Sequence, residues 1–281
     1  NLVCVGADPD RIAILDNFCW PSCGKPANLA SLVRAAEGCY DAAKAYRTPF
    51  VSGKDSLNNQ FTTDDGRTIE IPPTLLISGI GIVHDTWRCV TSDAKRAGNL
   101  LLLVGATGEH LGGSHIQQIL SRDNIHVAQV GASAAIPTTD LERGPELARA
   151  VHQLITAGHV RAAHDCSDGG LLTAVAEMLI AAAPHEDSSG PRLGASVDLS
   201  SIPFMATANR TLIASCFAEN TSRYVLEISR GSLKEVGRLL GELPHAVIAE
   251  LDHSGALRMS AAGLDLDVLE LRRAFTSTLN F

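Results

Sequence analysis

The chain has 281 residues, 45% hydrophobic and 4% aromatic, enough to bury a real core in one large or two ordinary domains. Its formal net charge of −8, with no cluster of Lys or Arg, argues against nucleic acid or an anionic membrane as a partner, because phosphate-backbone binding relies on dense basic charge. No apolar run reaches the roughly 18 residues of a membrane span, and no signal peptide is expected. The seven cysteines, Cys4, Cys19, Cys23, Cys39, Cys89, Cys166 and Cys216, form no C-x-x-C pair and read as buried thiols of a reducing compartment, the cytoplasm.

The chain opens at Asn1 directly in a strand-like run, residues 2–5, where a natural N-terminus would usually bring a Met and a few loose residues; the expectation is a piece of a longer protein. A second short strand, 12–15, follows the turn signal Ala7-Asp8-Pro9-Asp10. Asp16 stands at its end, where an acid either caps a turn or holds a ligand. Residues 28–46 read as a helix with Leu29, Leu32, Val33, Ala36, Tyr40 and Ala43 on one side and Asn28 as its cap. A strand at 49–52 ends in Gly53-Lys54-Asp55-Ser56. The Gly-Lys pair is not a Walker A loop, because that motif needs Gly five residues earlier and Ser or Thr after the lysine, where this chain has Thr48 and Asp55. What remains is a cation, a carboxylate and a hydroxyl at a strand end, either a solvated turn or part of a site. Residues 75–83 form a continuous apolar run, read as a buried strand. The sheet-like region ends near Trp87, and a domain boundary is placed in the polar connector 91–98, giving modules 1–92 and 93–281.

The second region begins with a buried strand, 100–104. Gly105, Gly108, Gly112 and Gly113 follow it, but their spacing is not G-x-G-x-x-G, so a dinucleotide-binding reading is weak. A helix at about 145–157 leads to a strand at 160–163 and then to His164-Asp165-Cys166-Ser167-Asp168-Gly169-Gly170-Leu171. Leu171, Val175 and Leu179 give the following helix one apolar face. A polar loop at 184–191, strands at 195–199, 224–228 and 246–251, a helix at 232–240 and a closing segment at 264–271 complete a mixed α/β or α+β pattern.

The strand-to-helix turn at 164–171 is the most informative stretch. Its glycines allow a sharp turn and close approach to a ligand, and the first amides of the helix are donors at its positive end, where a phosphate can sit. Asp165 and Asp168 supply hard oxygens suited to Mg²⁺. The plainer reading is a capped helix, although capping needs only one oxygen acceptor and this turn carries two acids. The ten histidines include no H-x-x-x-H or H-E-x-x-H pair, and only His164, beside Asp165, invites attention. No G-x-S-x-G elbow is present.

Four segments together carry a resemblance. Residues 1–20, with Ile14-Leu15-Asp16-Asn17-Phe18-Cys19-Trp20, then 49–59 with Gly53-Lys54-Asp55-Ser56, then HDCSDGGLLTAVAEM at 164–178, and finally 216–228 opening on Cys216-Phe217-Ala218-Glu219-Asn220, resemble in order the second repeat of the phosphoribosylformylglycinamidine synthase (PurL) family of purine biosynthesis. The resemblance implies an α/β (α+β) chain: a PurM-like N-terminal module, whose sheet pairs into a barrel, and a PurM-like C-terminal αβ module. It implies an ATP-dependent C–N ligase that converts formylglycinamide ribonucleotide (FGAR) and glutamine-derived ammonia to the amidine with Mg²⁺ and ATP/ADP. Asp16, Gly53 and Ser167 resemble nucleotide contacts, Lys54 stands where a cation meets phosphate although compact members carry a metal-binding Asn there, Ser56 resembles a substrate contact, and Asn1 and Asp165 resemble Mg²⁺ ligands. Asp168 is expected as a helix cap. The implied partners are the first PurM-like repeat, which holds the family's catalytic His, and a glutaminase subunit or domain. The fragment alone is expected to be inactive and able to dimerise with itself. The alternatives are a structural half that binds nucleotide without turnover, and a stand-alone relative such as aminoimidazole ribonucleotide synthase.

Overall fold

The structure, a computed structural model, describes residues 1–183, 192–206 and 208–277. The expected loop at 184–191 lies outside the described residues. Residues 2–5 do not form a strand. Val3–Val5 is a short 3-10 turn closed by Gly6, and Val3 and Cys4 are buried against the second region. A short apolar run has no period of its own, so packing decides whether it extends or coils.

The first region comprises β1 (Ile12–Cys19), α1 (Pro26–Tyr46), β2 (Phe50–Ser56), β3 (Gln60–Thr62), β4 (Thr68–Glu70) and β5 (Thr74–Gly81). A three-stranded sheet runs β2-β1-β5, with β1 parallel to β2 and antiparallel to β5, while β3 and β4 pair as a separate hairpin. Two sequence expectations fail here for one reason. Asp16 and the Gly53–Ser56 segment lie inside β1 and β2 rather than in loops beyond them, because the polar residues are carried on a paired ladder that runs to Cys19 and Ser56. Nor is β5 buried: Leu76 is 59% and Ile80 67% exposed. Helix α1 begins with Pro26 after Lys25, and Asn28 does not cap it; the Asn28 amide donates to Ser22 O and to Glu70. Pro at the first helical position replaces the cap, its missing N–H being one the helix leaves unpaired anyway. No residue of this 21-residue helix is buried.

The second region contains β6 (Leu100–Val104), α2 (His115–Arg122), α3 (Arg143–Thr156), β7 (Val160–Asp165), α4 (Gly170–Ala182), β8 (Gly194–Val197), α5 (Leu212–Phe217), β9 (Tyr224–Ile228), α6 (Leu233–Leu240), β10 (His245–Asp252), β11 (Ala256–Met259), β12 (Leu264–Asp267) and α7 (Val268–Ser277). The expected closing segment is thus a strand followed by a helix. Seven strands form one sheet in the order β12-β11-β8-β10-β6-β9-β7, antiparallel except at the β11–β8 pair. Strand alternation makes two cores from one sheet. Leu101 and Leu103 face Leu171, Val175 and Met178 of α4 on one side. Leu100, Leu102 and Val104 face Leu147, Val151 and Leu154 of α3 on the other. The connector is clamped to this sheet by buried Glu227, whose carboxylate accepts from the amides of Lys95 and Arg96 and from the Asn99 side chain.

Leu103→Ala, at a fully buried position of β6, is expected to destabilise the chain by about 2–5 kcal/mol, whereas Leu76→Ala on the open sheet should stay within about 0.5 kcal/mol. Urea unfolding midpoints of the two variants measure the contrast.

Candidate functional site

Strand β7 delivers the acidic turn. Its last residues pair with β9, His164 opposite Val225 and Asp165 opposite Tyr224, and Cys166 N then donates to Arg223 O at 2.9 Å. The chain reverses through Gly169 and Gly170, with φ of 79° and 74°. A Cβ on Gly170 would stand 2.7 Å from Ala218 O, so the second glycine is required by both its left-handed backbone and the segment pressed against it.

The cap of α4 differs from the expectation. The N-cap is Gly169, and Asp168 makes no capping hydrogen bond. Glu219 takes that role: its Oε1 accepts from Gly169 N at 2.7 Å and from His115 N, at the start of α2, at 2.9 Å. One carboxylate therefore serves the N-termini of two helices, where the backbone dipoles favour negative charge. Glu219 itself is held by its neighbours' carbonyls. The fully buried Arg223 guanidinium donates to Ala218 O, to Asn220 O and to Thr107 Oγ1.

Asp165 is half-buried. Its Oδ2 accepts from Ser167 Oγ and lies 3.9 Å from the amino nitrogen of Asn1, while Oδ1 has no hydrogen-bond partner among the described residues. The structure thus brings Asn1, Asp165 and Ser167 together and leaves an oxygen free for a cation. His164 points elsewhere: its Nδ1 donates to Asp165 O at 2.7 Å, and its Nε2 meets Glu177 Oε2 at 3.1 Å.

The remaining expected residues divide between the two faces of the small sheet. Asp16 sits directly opposite Gly53 across β1 and β2, and its carboxylate fills the space a side chain at 53 would need. This face turns toward α1: the Trp20 indole donates to Ser31 Oγ at 2.9 Å, and burial, with the Asp16 carboxylate nearby, raises the Cys39 thiol. Lys54 and Ser56 alternate onto the opposite face, where Lys54 Nζ donates to Ser56 Oγ at 2.7 Å. Among the described residues no hydrogen bond or ion pair joins the sheet group to the Asp165 group. A cleft of about 400 Å³ runs from Asn1 along the small sheet, lined by Asn1, Leu2, Ile12, Ile14, Ile77 and Tyr224. Ile14 and Ile77 belong to the face that carries Asp16, so this cleft approaches Asp16 and not Ser56.

The cysteines are not uniformly buried. Cys4, Cys166 and Cys216 are, whereas Cys89 is exposed. Burial pushes Cys166 up to about 11 and Cys4 to about 12, so neither is a thiolate nucleophile near neutral pH. Glu219, Arg223 and His115 escaped sequence reasoning as site residues. Glu219 was legible only as part of the 216–220 segment, and nothing local marks Arg223 as buried.

The family model described as AIR synthase related protein, C-terminal domain, matches residues 96–261. The phosphoribosylformylglycinamidine synthase subunit PurL of Deinococcus radiodurans is 33% identical over 252 residues, 89% of this chain and 31% of that protein. The PurL subunit of Bartonella bacilliformis is 32% identical over 281 residues, 99% of this chain and 33% of its own length. The chain spans about a third of the length of these curated relatives. Among solved structures, Thermotoga maritima PurL complexed with FGAR superposes with a TM-score of 0.70 at 20% identity, covering 96% of this chain and 40% of that one. The same protein complexed with ATP gives 0.66 at 18% identity, over 96% and 39%. These superpositions show a shared fold.

The thiol pKa values give a pH prediction. Folded Cys166 titrates near 11 and Cys4 near 12, against 9.0 for the free thiol. Stability from keeping them protonated is therefore complete below pH 9 and falls as pH rises toward 11–12, because the unfolded chain releases these protons first. At pH 8 a thiol reagent should label Cys89 quickly and Cys4, Cys166 and Cys216 only on unfolding, as peptide mapping would record.

Proposed function

The chain belongs to the AIR synthase related protein family, and from that premise we propose that it works as the second PurM-like half of a phosphoribosylformylglycinamidine synthase. The observation that carries this reading is the match of 99% of the chain to one third of a PurL subunit, in a single continuous order. In this reading residues 1–92 are the N-terminal module and residues 93–281 the C-terminal module. The reaction is the ATP-dependent conversion of FGAR, with ammonia from glutamine, to the amidine, ADP and phosphate, and the proposed location is the cytoplasm. Among the described residues no helix is long and apolar enough to cross a membrane.

Asp165 and Asn1 hold Mg²⁺ in this reading. The donor set suits a hard cation: a carboxylate with one oxygen unpaired among the described residues and the Ser167 hydroxyl beside it, with the backbone nitrogen of Asn1 3.9 Å away. Mg²⁺ would screen the nucleotide phosphates at this position. Ser167 contacts the nucleotide. Asp16 and Gly53 contact ATP from the α1 side of the small sheet, with Lys54 placing its charge near phosphate on the other side. Ser56, hydrogen-bonded to Lys54, contacts FGAR. The pairing of these two side chains supports a binding point for phosphate and hydroxyl groups of a ribonucleotide.

The sheet β2-β1-β5 has three strands and an open face carrying Leu76 and Ile80, and Val51 on its edge is 65% exposed. Exposed apolar area of this kind marks an interaction surface. The proposed occupant is the equivalent sheet of the first PurM-like repeat, with a glutaminase subunit or domain supplying ammonia. In its absence a second copy of the chain takes the place.

Two measurements test this reading. Calorimetric titration of Mg-ADP into the chain should show saturable, Mg²⁺-dependent binding that Asp165→Asn weakens by about ten-fold or more; unchanged affinity in that variant would remove Asp165 from the metal site. Sedimentation of the chain by itself should show a self-dimer that Ile80→Glu dissociates, and a monomer at all concentrations would refute the proposed sheet pairing.

A further inference from the structure

We propose that His115, Asp168 and Glu219 form a binding site for a divalent first-row transition ion such as Mn²⁺, separate from the Asp165 position. Three elements far apart in sequence converge here: the first residue of α2, the turn before α4 and the segment before β9. One ring nitrogen of His115 and one carboxylate oxygen from each acid lie within 4.8 Å of one another. That spacing lets all three contact one ion with bonds of about 2.0–2.2 Å after small side-chain rotations.

The geometry of Glu219 goes beyond an incidental meeting of acids. Its Oε1 is fixed by the amides of Gly169 and His115 and by His115 Nδ1 at 3.1 Å. The carboxylate is therefore oriented before any ion arrives, and Oε2 has no partner among the described residues. The buried Arg223 hydrogen bonds to Ala218 O and Asn220 O fix the backbone on either side of it. Side chains locked in this way lose little entropy on binding a metal.

Charge points the same way. Among the described residues no Lys or Arg lies within ion-pair distance of Asp168 or Glu219, and His115 is the sole ion-pair partner of Glu219. An exposed carboxylate, Asp168, and a largely buried one, Glu219, thus stand together, compensated by helix N-termini and by an imidazole that can serve as donor or ligand. A divalent ion neutralises both. A mixed set of one imidazole and two carboxylates favours Mn²⁺, Co²⁺ or Zn²⁺ over Mg²⁺ or Ca²⁺, which prefer oxygen alone. With three protein ligands, the remaining coordination positions are open to water or to an anionic ligand oxygen. The assignment stands whether or not Asp165 holds a nucleotide-bound cation, since the two positions share no residue.

The test is a Mn²⁺ titration of the 281-residue chain followed by electron paramagnetic resonance, with excess Mg²⁺ present to fill oxygen-only positions. One Mn²⁺ per chain is expected to bind, with affinity falling ten-fold or more in His115→Ala and in Asp168→Asn and unchanged in Asp165→Asn. The His115 side chain is 56% exposed, so its removal leaves the packing intact. Co²⁺ in place of Mn²⁺ should give a visible spectrum without a thiolate charge-transfer band. No bound Mn²⁺ in the parent chain, equal binding in His115→Ala, or a thiolate band placing the ion on a cysteine would each overturn the assignment.

Discussion

A buried cation organises the end of the sheet where the candidate sites lie. Arg223 has a fully buried guanidinium and meets no carboxylate among the described residues; its donors go to two carbonyls and a hydroxyl. Removing such a charge from water costs several kcal/mol, and burial lowers its pKa accordingly. Hydrogen bonds to a charged group return about 1.5–3 kcal/mol each. The arrangement holds only while the 218–220 segment keeps its shape, and that segment carries Glu219. One guanidinium thereby fixes the segment whose carboxylate accepts from amides at the N-termini of α2 and α4. The turn bearing Asp165, Ser167 and Asp168 is braced from below by Cys166 N donating to Arg223 O.

The two sheets stand in different positions energetically. The seven-stranded sheet is covered on both faces, so β6 is apolar at every residue and needs no alternation in its sequence. The three-stranded sheet is too small to bury itself, and α1 lies beside it without one buried residue. Its ties to the larger unit lie at its ends: Tyr46 at the end of α1 meets Ser222 at 2.8 Å, Arg149 of α3 donates to Asp10 before β1, Ile12 packs on the core under α3, and so does the 3-10 turn at Val3–Val5. A region built this way gains stability from whatever covers it.

Strand alternation also divides the expected ligand contacts. Asp16 and Gly53 share a face with the cleft that begins at Asn1, while Lys54 and Ser56 share the other. Adjacent residues of a strand cannot serve the same pocket, so a motif that reads as one compact cluster becomes two opposed pairs.

Much was legible without coordinates. The continuous apolar run of β6, the helix at α4, the strand β9 and the strand-to-helix turn at Asp165 follow from local periodicity and from glycine placement, which depend on neighbours in sequence. The mixed α/β class and the resemblance that led to the family rest on the same local order. Tertiary structure decided the rest. Whether residues 2–5 extend or coil, whether β5 is covered, and that Glu219 rather than Asp168 caps α4 depend on contacts between segments up to about a hundred residues apart. The convergence of His115, Asp168 and Glu219 is of the same kind. A residue's type states what it can bond to; only the folded chain brings the partner within 3 Å, and that distance determines which of its possible roles it takes.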